Sequence, residues 1–135
     1  MVHSTINSIY PNYYPAEVVT FFLEYHNEDT IRADIERGNV FLLSDDGKYV
    51  GTGGIDDKYI GRVYVLPEYQ GRGYGSFIMN ELEAKIKESF DFAFLDASMP
   101  SYSFYLKRGY QPTEYLKYEV ENHRILCYYV MEKAL

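Results

Sequence analysis

The chain has 135 residues, long enough for one domain that buries about two-thirds of its unfolded surface without a staple. A single cysteine, Cys127, excludes an intrachain disulfide and a cysteine-rich metal site, which fits a reducing compartment. The net charge of −7 argues against a nucleic-acid partner, which needs clustered Lys and Arg; it favours a cationic amine partner and serves solubility equally well.

In chain order, residues 2–9 alternate loosely and predict an edge strand. Pro15 suits the first turn of a helix running to about His26, with Val18, Phe22 and Tyr25 on one face. Asn27 or Asp29 then caps a short helix carrying Ile31 and Ile35, which Gly38 ends. Residues 40–43 and 49–55 form an antiparallel hairpin, because Asp46-Gly47 supplies the positive φ angles of a type I′ turn. Gly51, Gly53 and Gly54 read as a bulge or a close backbone approach; no helix start follows them, so they are not a second phosphate loop. A strand over 59–66 leads through a Gly-rich loop to a helix over about 75–89. Its inner stripe is Ile78, Leu82 and Ile86, with Glu81–Lys85 and Glu83–Lys87 as outward pairs. Residues 92–97 are a short apolar strand, and the strand–helix–strand unit makes the two strands parallel, with the loop at the carboxyl end of the first. A short helix over 101–108 ends at Gly109, and strands over 110–119 and 124–132 pair antiparallel through Asn122-His123. Both faces of residues 125–131 are apolar, which predicts a strand covered on both sides. Sixteen tyrosines and eight phenylalanines exceed what such a core needs, so some tyrosines are expected to line a pocket. No apolar run approaches the roughly 18 residues of a membrane span, and no basic segment followed by an apolar one opens the chain, so a cytoplasmic protein is expected.

The chain is organised around Val63-Tyr64-Val65-Leu66-Pro67-Glu68-Tyr69-Gln70-Gly71-Arg72-Gly73-Tyr74-Gly75-Ser76. Glycines let backbone N–H groups converge without Cβ obstruction, and the following helix leaves its first amides unpaired, a geometry that suits phosphate. The P-loop needs Gly-Lys-Ser/Thr, which does not occur here. The dinucleotide fingerprint needs Gly-x-Gly-x-x-Gly, whereas Gly71, Gly73 and Gly75 fall on alternate positions and Ser76 stands in for the third glycine; Asp96, about 20 residues on, keeps a nucleotide-binding domain as an alternative.

Gln70-x-x-Gly73-x-Gly75 after Val-x-Val-x-Pro resembles the acyl-CoA pyrophosphate loop of the GNAT N-acyltransferases, and Phe104-Tyr105-Leu106-Lys107-Arg108-Gly109-Tyr110 resembles that family's Tyr-x-x-x-Gly-aromatic segment. The similarity of element order extends over roughly residues 38–135. It implies an α/β layered fold: a mixed, mostly antiparallel sheet with central splayed parallel strands and flanking helices. It also implies transfer of acetyl from acetyl-CoA to a primary amine (a small amine, an amino acid or a peptide amine) by direct attack in a ternary complex, with no metal. A non-catalytic acyl-CoA-sensing module is the alternative from another class, and homodimerisation stays open.

By the same resemblance, the pantetheine arm lies along Val63, Tyr64 and Val65, and the pyrophosphate accepts bonds from Gln70, Gly71, Arg72, Gly73, Tyr74, Gly75 and Ser76. Such charge-assisted bonds are worth roughly 1.5–3 kcal/mol each before desolvation. Gln70 stands where the family often has Arg, leaving Arg72 to supply charge. Ser98 stands where many members place a cofactor-binding Asn, and Tyr59 where many carry a catalytic Glu. Tyr105 matches the proton donor to the departing thiolate, a role for which a phenol of ordinary pKa near 10 is suited. The base stays open among Asp56, Asp57, Glu24, His26, Glu119 and a water chain. Cys127 reads as core packing rather than as an acyl-carrying nucleophile. Tyr14, Phe21, Tyr25, His26, Tyr115, Tyr118 and Tyr128 are candidate walls of the acceptor side, where an aromatic cage with a nearby acid welcomes an amine.

Overall fold

A computed structural model describes residues 1–135. Helices α1 (Val2–Ile9), α2 (Ala16–Tyr25) and α3 (Glu28–Glu36) precede strands β1 (Val40–Asp45), β2 (Lys48–Asp56) and β3 (Tyr59–Val65). Helix α4 (Tyr74–Lys87), strand β4 (Phe92–Ala97), helix α5 (Tyr102–Lys107) and strands β5 (Gln111–Glu119) and β6 (Ile125–Ala134) complete the chain. The strands form one sheet in the order β1-β2-β3-β4-β6-β5, antiparallel throughout except for β3 and β4. This is the mixed, mostly antiparallel sheet with flanking helices that the loop motifs imply.

Local chemistry explains the boundaries. Asp46 and Gly47 adopt φ of 50° and 75°, which closes the β1–β2 hairpin as a type I′ turn. Asn27 caps α3 by accepting the Thr30 amide at 2.9 Å. Gly51 and Gly53 lie directly under α4: a Cβ at either would come within 2.7 Å of Ile78 Cδ1 or 2.8 Å of Leu82 Cδ1, so the close approach expected of this glycine run is real.

The parallel pair is short. Only Tyr59 pairs with Phe94 and Ile60 with Leu95, after which β3 and β4 part. The cause is visible in β3, where the register to β2 slips between Thr52 and Gly54 and Arg62 sits at φ 48°. That bulge bends the strand and exchanges its faces. Ile60 packs in the core under α4, with Ile78, Leu82 and Leu95, whereas Tyr64 points to the opposite core, with Ile6 and Val18 of α1 and α2.

Three expectations need correction. Residues 2–9 form a helix, not an edge strand: Val2, Thr5, Ile6 and Ile9 recur at helical spacing, Ile6 is wholly buried against α2, and the Ser4 and Thr5 hydroxyls donate to the Met1 carbonyl at 2.8 and 2.9 Å. Glu83 does not face outward to Lys87; its carboxylate is buried against Arg108 and Lys133. Strand β6 lies between β4 and β5, yet Ile125 is exposed and only Leu126 and Met131 are fully buried, because β5 beside it is exposed along nearly its whole length. No helix is long and apolar enough to cross a membrane.

Candidate functional site

The loop between β3 and α4 presents a set of unpaired donors. Gly71 and Gly73 adopt φ of 76° and 86°, open to glycine at no cost, and no side chain caps α4. Backbone bonding resumes at Phe77, whose amide donates to the Gly73 carbonyl at 3.0 Å; the amides of Gly71, Arg72, Gly73, Tyr74, Gly75 and Ser76 have no acceptor within the chain. Such a concentration of N–H groups at the start of a 14-residue helix fits a diphosphate.

The side chains of the loop do not plug this cradle. Gln70 Nε2 donates to the Val65 carbonyl at 2.9 Å, which ties the loop to the end of β3. Arg72 lies over the Tyr69 ring at 5.4 Å and donates to the Glu68 carbonyl at 3.2 Å, so its charge stays at the rim. The Tyr74 hydroxyl turns away to the Asp45 carboxylate. A Cβ at Gly75 would sit 3.4 Å from the Phe104 ring, so the loop rests on the residue preceding Tyr105.

Where β3 and β4 part, a cleft of about 500 Å³ opens. Its lining brings together Val63, Tyr64, Val65, Gln70, Ser98 and Tyr105 with Phe21, Tyr25, His26, Tyr118 and Tyr128. Tyr105 is 7 % exposed, its ring held between Phe104 and Tyr110 at 5.2 and 5.7 Å, and its hydroxyl has no partner in the chain. Burial pushes its pKa well above the usual phenol value, so it stands protonated in the cleft. Ser98 Oγ lies 2.9 Å from Ser101 Oγ and 3.4 Å from the Tyr10 hydroxyl, which is itself 3.4 Å from that of Tyr64, so hydroxyls run along the cleft floor.

Other candidates fall elsewhere. Tyr14 is buried in the α1–α2 core, where its hydroxyl accepts the Met99 amide at 2.6 Å, and Tyr115 packs on Tyr129 at 5.0 Å outside the cleft. Asp56 lines a separate depression of about 200 Å³, and Asp57 sits in the β2–β3 turn. Glu24 is exposed outside the cleft, and Glu119 pairs with His123 Nδ1 at 2.6 Å on the surface. Cys127 is half-buried and unpaired. No group of three His, Cys, Asp or Glu side chains is placed to hold a metal ion.

His26 faces the cleft, but its base is already engaged. Arg62 Nε donates to His26 Nδ1 at 3.0 Å while Arg62 Nη1 pairs with Asp34, so the neutral ring carries its proton on Nε2. Burial, then the Arg62 charge, brings its pKa down from 6.5 to about 4. The unfolded chain therefore binds more protons between those values. The stability contributed by the neutral ring is complete above pH 6.5 and is lost as the pH falls to about 4. The thermal midpoint is expected to fall across that window. His26→Gln, which offers Arg62 an amide oxygen that does not titrate, is expected to flatten that slope in pH-dependent melting curves.

Sequence reasoning passed over Tyr10, Arg62, Ser101 and the cleft-facing placement of Asp96. The Tyr59 hydroxyl donates to Asp96 Oδ2 at 3.3 Å, and partial burial raises the Asp96 carboxyl from its ordinary value against the opposing pull of that bond. One signal was available: Asp96 is the polar residue at the carboxyl end of an apolar strand, beside the place where parallel strands diverge and ligands commonly bind. The dinucleotide alternative lacks its scaffold, since only one strand pair is parallel.

Residues 9–134 match the model of the acetyltransferase (GNAT) domain. No curated protein matches the chain. Among solved structures, the chain is similar to a GCN5-related N-acetyltransferase from Rhodopseudomonas palustris, with 23% identity, a TM-score of 0.87, and 99% of this chain and 85% of that one covered. It is also similar to the PaiA N-acetyltransferase from Thermoplasma acidophilum in complex with coenzyme A (18% identity, TM-score 0.73, 99% and 88% covered). A ribosomal-protein-alanine N-acetyltransferase from Brucella melitensis is a further match (18% identity, TM-score 0.65, 84% and 78% covered). At these identities the solved structures establish a shared fold, and the family model spans nearly the whole sequence: the chain belongs to the GNAT acetyltransferase family.

Proposed function

We propose that residues 1–135 are one acyl-CoA N-acyltransferase domain, which moves acetyl from acetyl-CoA to a primary amine by direct attack in a ternary complex. The observation that carries the reading is the run of unpaired amides from Gly71 to Ser76, which follows Gln70 in the cleft lining and rests through Gly75 on Phe104, next to Tyr105 with its free hydroxyl in the same cleft. The amides take the diphosphate, and Arg72 adds charge at the rim. Gln70 departs from the ligand role and instead pins the loop to Val65. The outward-facing backbone of Val63 and Val65, left without a β4 partner, takes the pantetheine arm like an added strand, and Ser98 offers it a hydroxyl.

Tyr105 gives its proton to sulfur as the C–S bond breaks. The burial that disfavours its phenolate also disfavours a bare thiolate, so donor and acceptor stay matched. The aromatic half of the cleft, from Phe21 and Tyr25 to Tyr118 and Tyr128, receives the amine. An amine acceptor also fits a relative that acts on a ribosomal-protein alanine. The unpaired Cys127 suits a reducing, cytoplasmic setting.

The test uses the purified chain, acetyl-CoA and a panel of alkylamines, amino acids and short peptides. Free thiol is expected to appear in step with acetylated amine. Coenzyme A at 100 times its Kd is expected to stabilise the fold by about 2.7 kcal/mol in a melting assay, and NAD not at all. Binding without thiol release would favour an acyl-CoA sensor, and protection by NAD but not coenzyme A would sink the reading.

A further inference from the structure

Resting on the acyl-transfer reading, we propose that Asp96, oriented by the Tyr59 hydroxyl, binds the ammonium group of the acceptor and removes its proton before attack. Asp96 is the one carboxylate among the residues lining the cleft. It enters no ion pair: the single guanidinium of the cleft, Arg62, is committed to Asp34 and His26. A carboxylate without an internal cation, in a cleft walled by aromatic rings, is a site for an external one. The Tyr59 bond engages Oδ2, and Oδ1 has no partner in the chain. The proposed acceptor is therefore a cationic primary amine on an apolar or aromatic stem.

The other titratable groups around the carboxylate are Tyr59 and Arg62 from β3, Tyr25 and His26 from the end of α2, Tyr128 from β6 and Glu114 from β5. None of them competes as a base at neutral pH. Burial holds the Tyr59 and Tyr128 phenols above their usual value and so protonated, Arg62 is committed to Asp34 and His26, His26 has its Nδ1 occupied, and Glu114 lies outside the cleft.

The step balances as follows. Asp96 takes one proton from R–NH3⁺, and the freed lone pair forms the C–N bond at the thioester carbon. The C–S bond breaks with its electron pair going to sulfur, and Tyr105 protonates that sulfur. The second proton lost by nitrogen restores the phenol, and Asp96 releases its own to solvent, so each turnover yields amide, thiol and one proton.

The experiment compares wild type, Asp96→Asn, Asp96→Glu and Tyr59→Phe with the best amine of the panel across pH. Asp96→Asn is expected to lower kcat/KM for the amine about 100-fold or more at pH 7 and to displace the acid limb of the profile up to the amine's own pKa, with acetyl-CoA affinity unchanged. The deficit is expected to close as the pH approaches the amine's own pKa, because the nucleophile then arrives neutral. Asp96→Glu is expected to restore part of the rate, and Tyr59→Phe to cost roughly three- to tenfold. Full activity in Asp96→Asn, or an acid limb that stays in place there and is displaced in His26→Gln, overturns the proposal while leaving acyl transfer intact. A wild type that binds acetyl-CoA yet releases no thiol with any amine overturns both.

Discussion

Tyr105→Phe is expected to lower kcat by about 10²–10⁴-fold and to leave the calorimetric Kd for acetyl-CoA within a few-fold of wild type. The substitution is unusually clean here. The Tyr105 ring is held by Phe104 and Tyr110, and phenylalanine keeps those contacts. Because the hydroxyl bonds to nothing in the chain, removing it strands no buried partner. The thermal midpoint should stay within a degree or two of wild type, so lost rate reports lost chemistry. Direct binding must be measured, because KM equals the dissociation constant only when chemistry is slow. Wild-type turnover in Tyr105→Phe would remove the proton donor from the scheme and shift attention to Tyr10, which touches both Tyr64 and Ser98 on the cleft floor.

What the sequence revealed followed from chemistry confined to a few neighbouring residues. Asp46-Gly47 dictates its turn, Asn27 its cap, and the spacing of Gly71, Gly73 and Gly75 its open amides, whatever the rest of the chain does. Misreadings arose where distant residues decide. Val2 to Ile9 is rich in β-branched residues and reads as a strand, yet burial of Ile6 against α2 selects the helix. His26 is visible as a potential base, but its partner Arg62 is presented by a bulge that no local pattern announces. Asp96 has the right chemistry only because β3 bends away and leaves the end of β4 facing open space. The departures at Tyr59 and Ser98, read singly as losses, become a hydrogen-bonded pair with Asp96 and a link in the hydroxyl chain.

Glu83 gives the second large effect, on stability rather than rate. It looks like an exposed helix partner of Lys87, but its side chain is 9% exposed and accepts Arg108 Nη2 at 3.0 and 3.1 Å and Lys133 Nζ at 2.8 Å. Glu83→Ala would leave two cations without their carboxylate, with Arg108 keeping only the neutral Asn80 Oδ1 at 2.8 Å as a side-chain acceptor. The expected cost is about 3–5 kcal/mol, a large fraction of the roughly 5–15 kcal/mol that holds such a domain together, with a fall of roughly 10 °C in the thermal midpoint. The penalty comes from stranded charge rather than from a strong net attraction. A triple replacement of Glu83, Arg108 and Lys133 by apolar residues of similar size should therefore recover most of the stability in urea titrations. Because Arg108 ends the helix that carries Tyr105, Glu83→Ala should also lower kcat below the melting range, and the triple variant should restore it only as far as α5 regains its packing. An unaltered unfolding midpoint in Glu83→Ala would mean that solvent reaches this triad freely and that α5 is anchored by the ring contacts of Phe104, Tyr105 and Tyr110 alone.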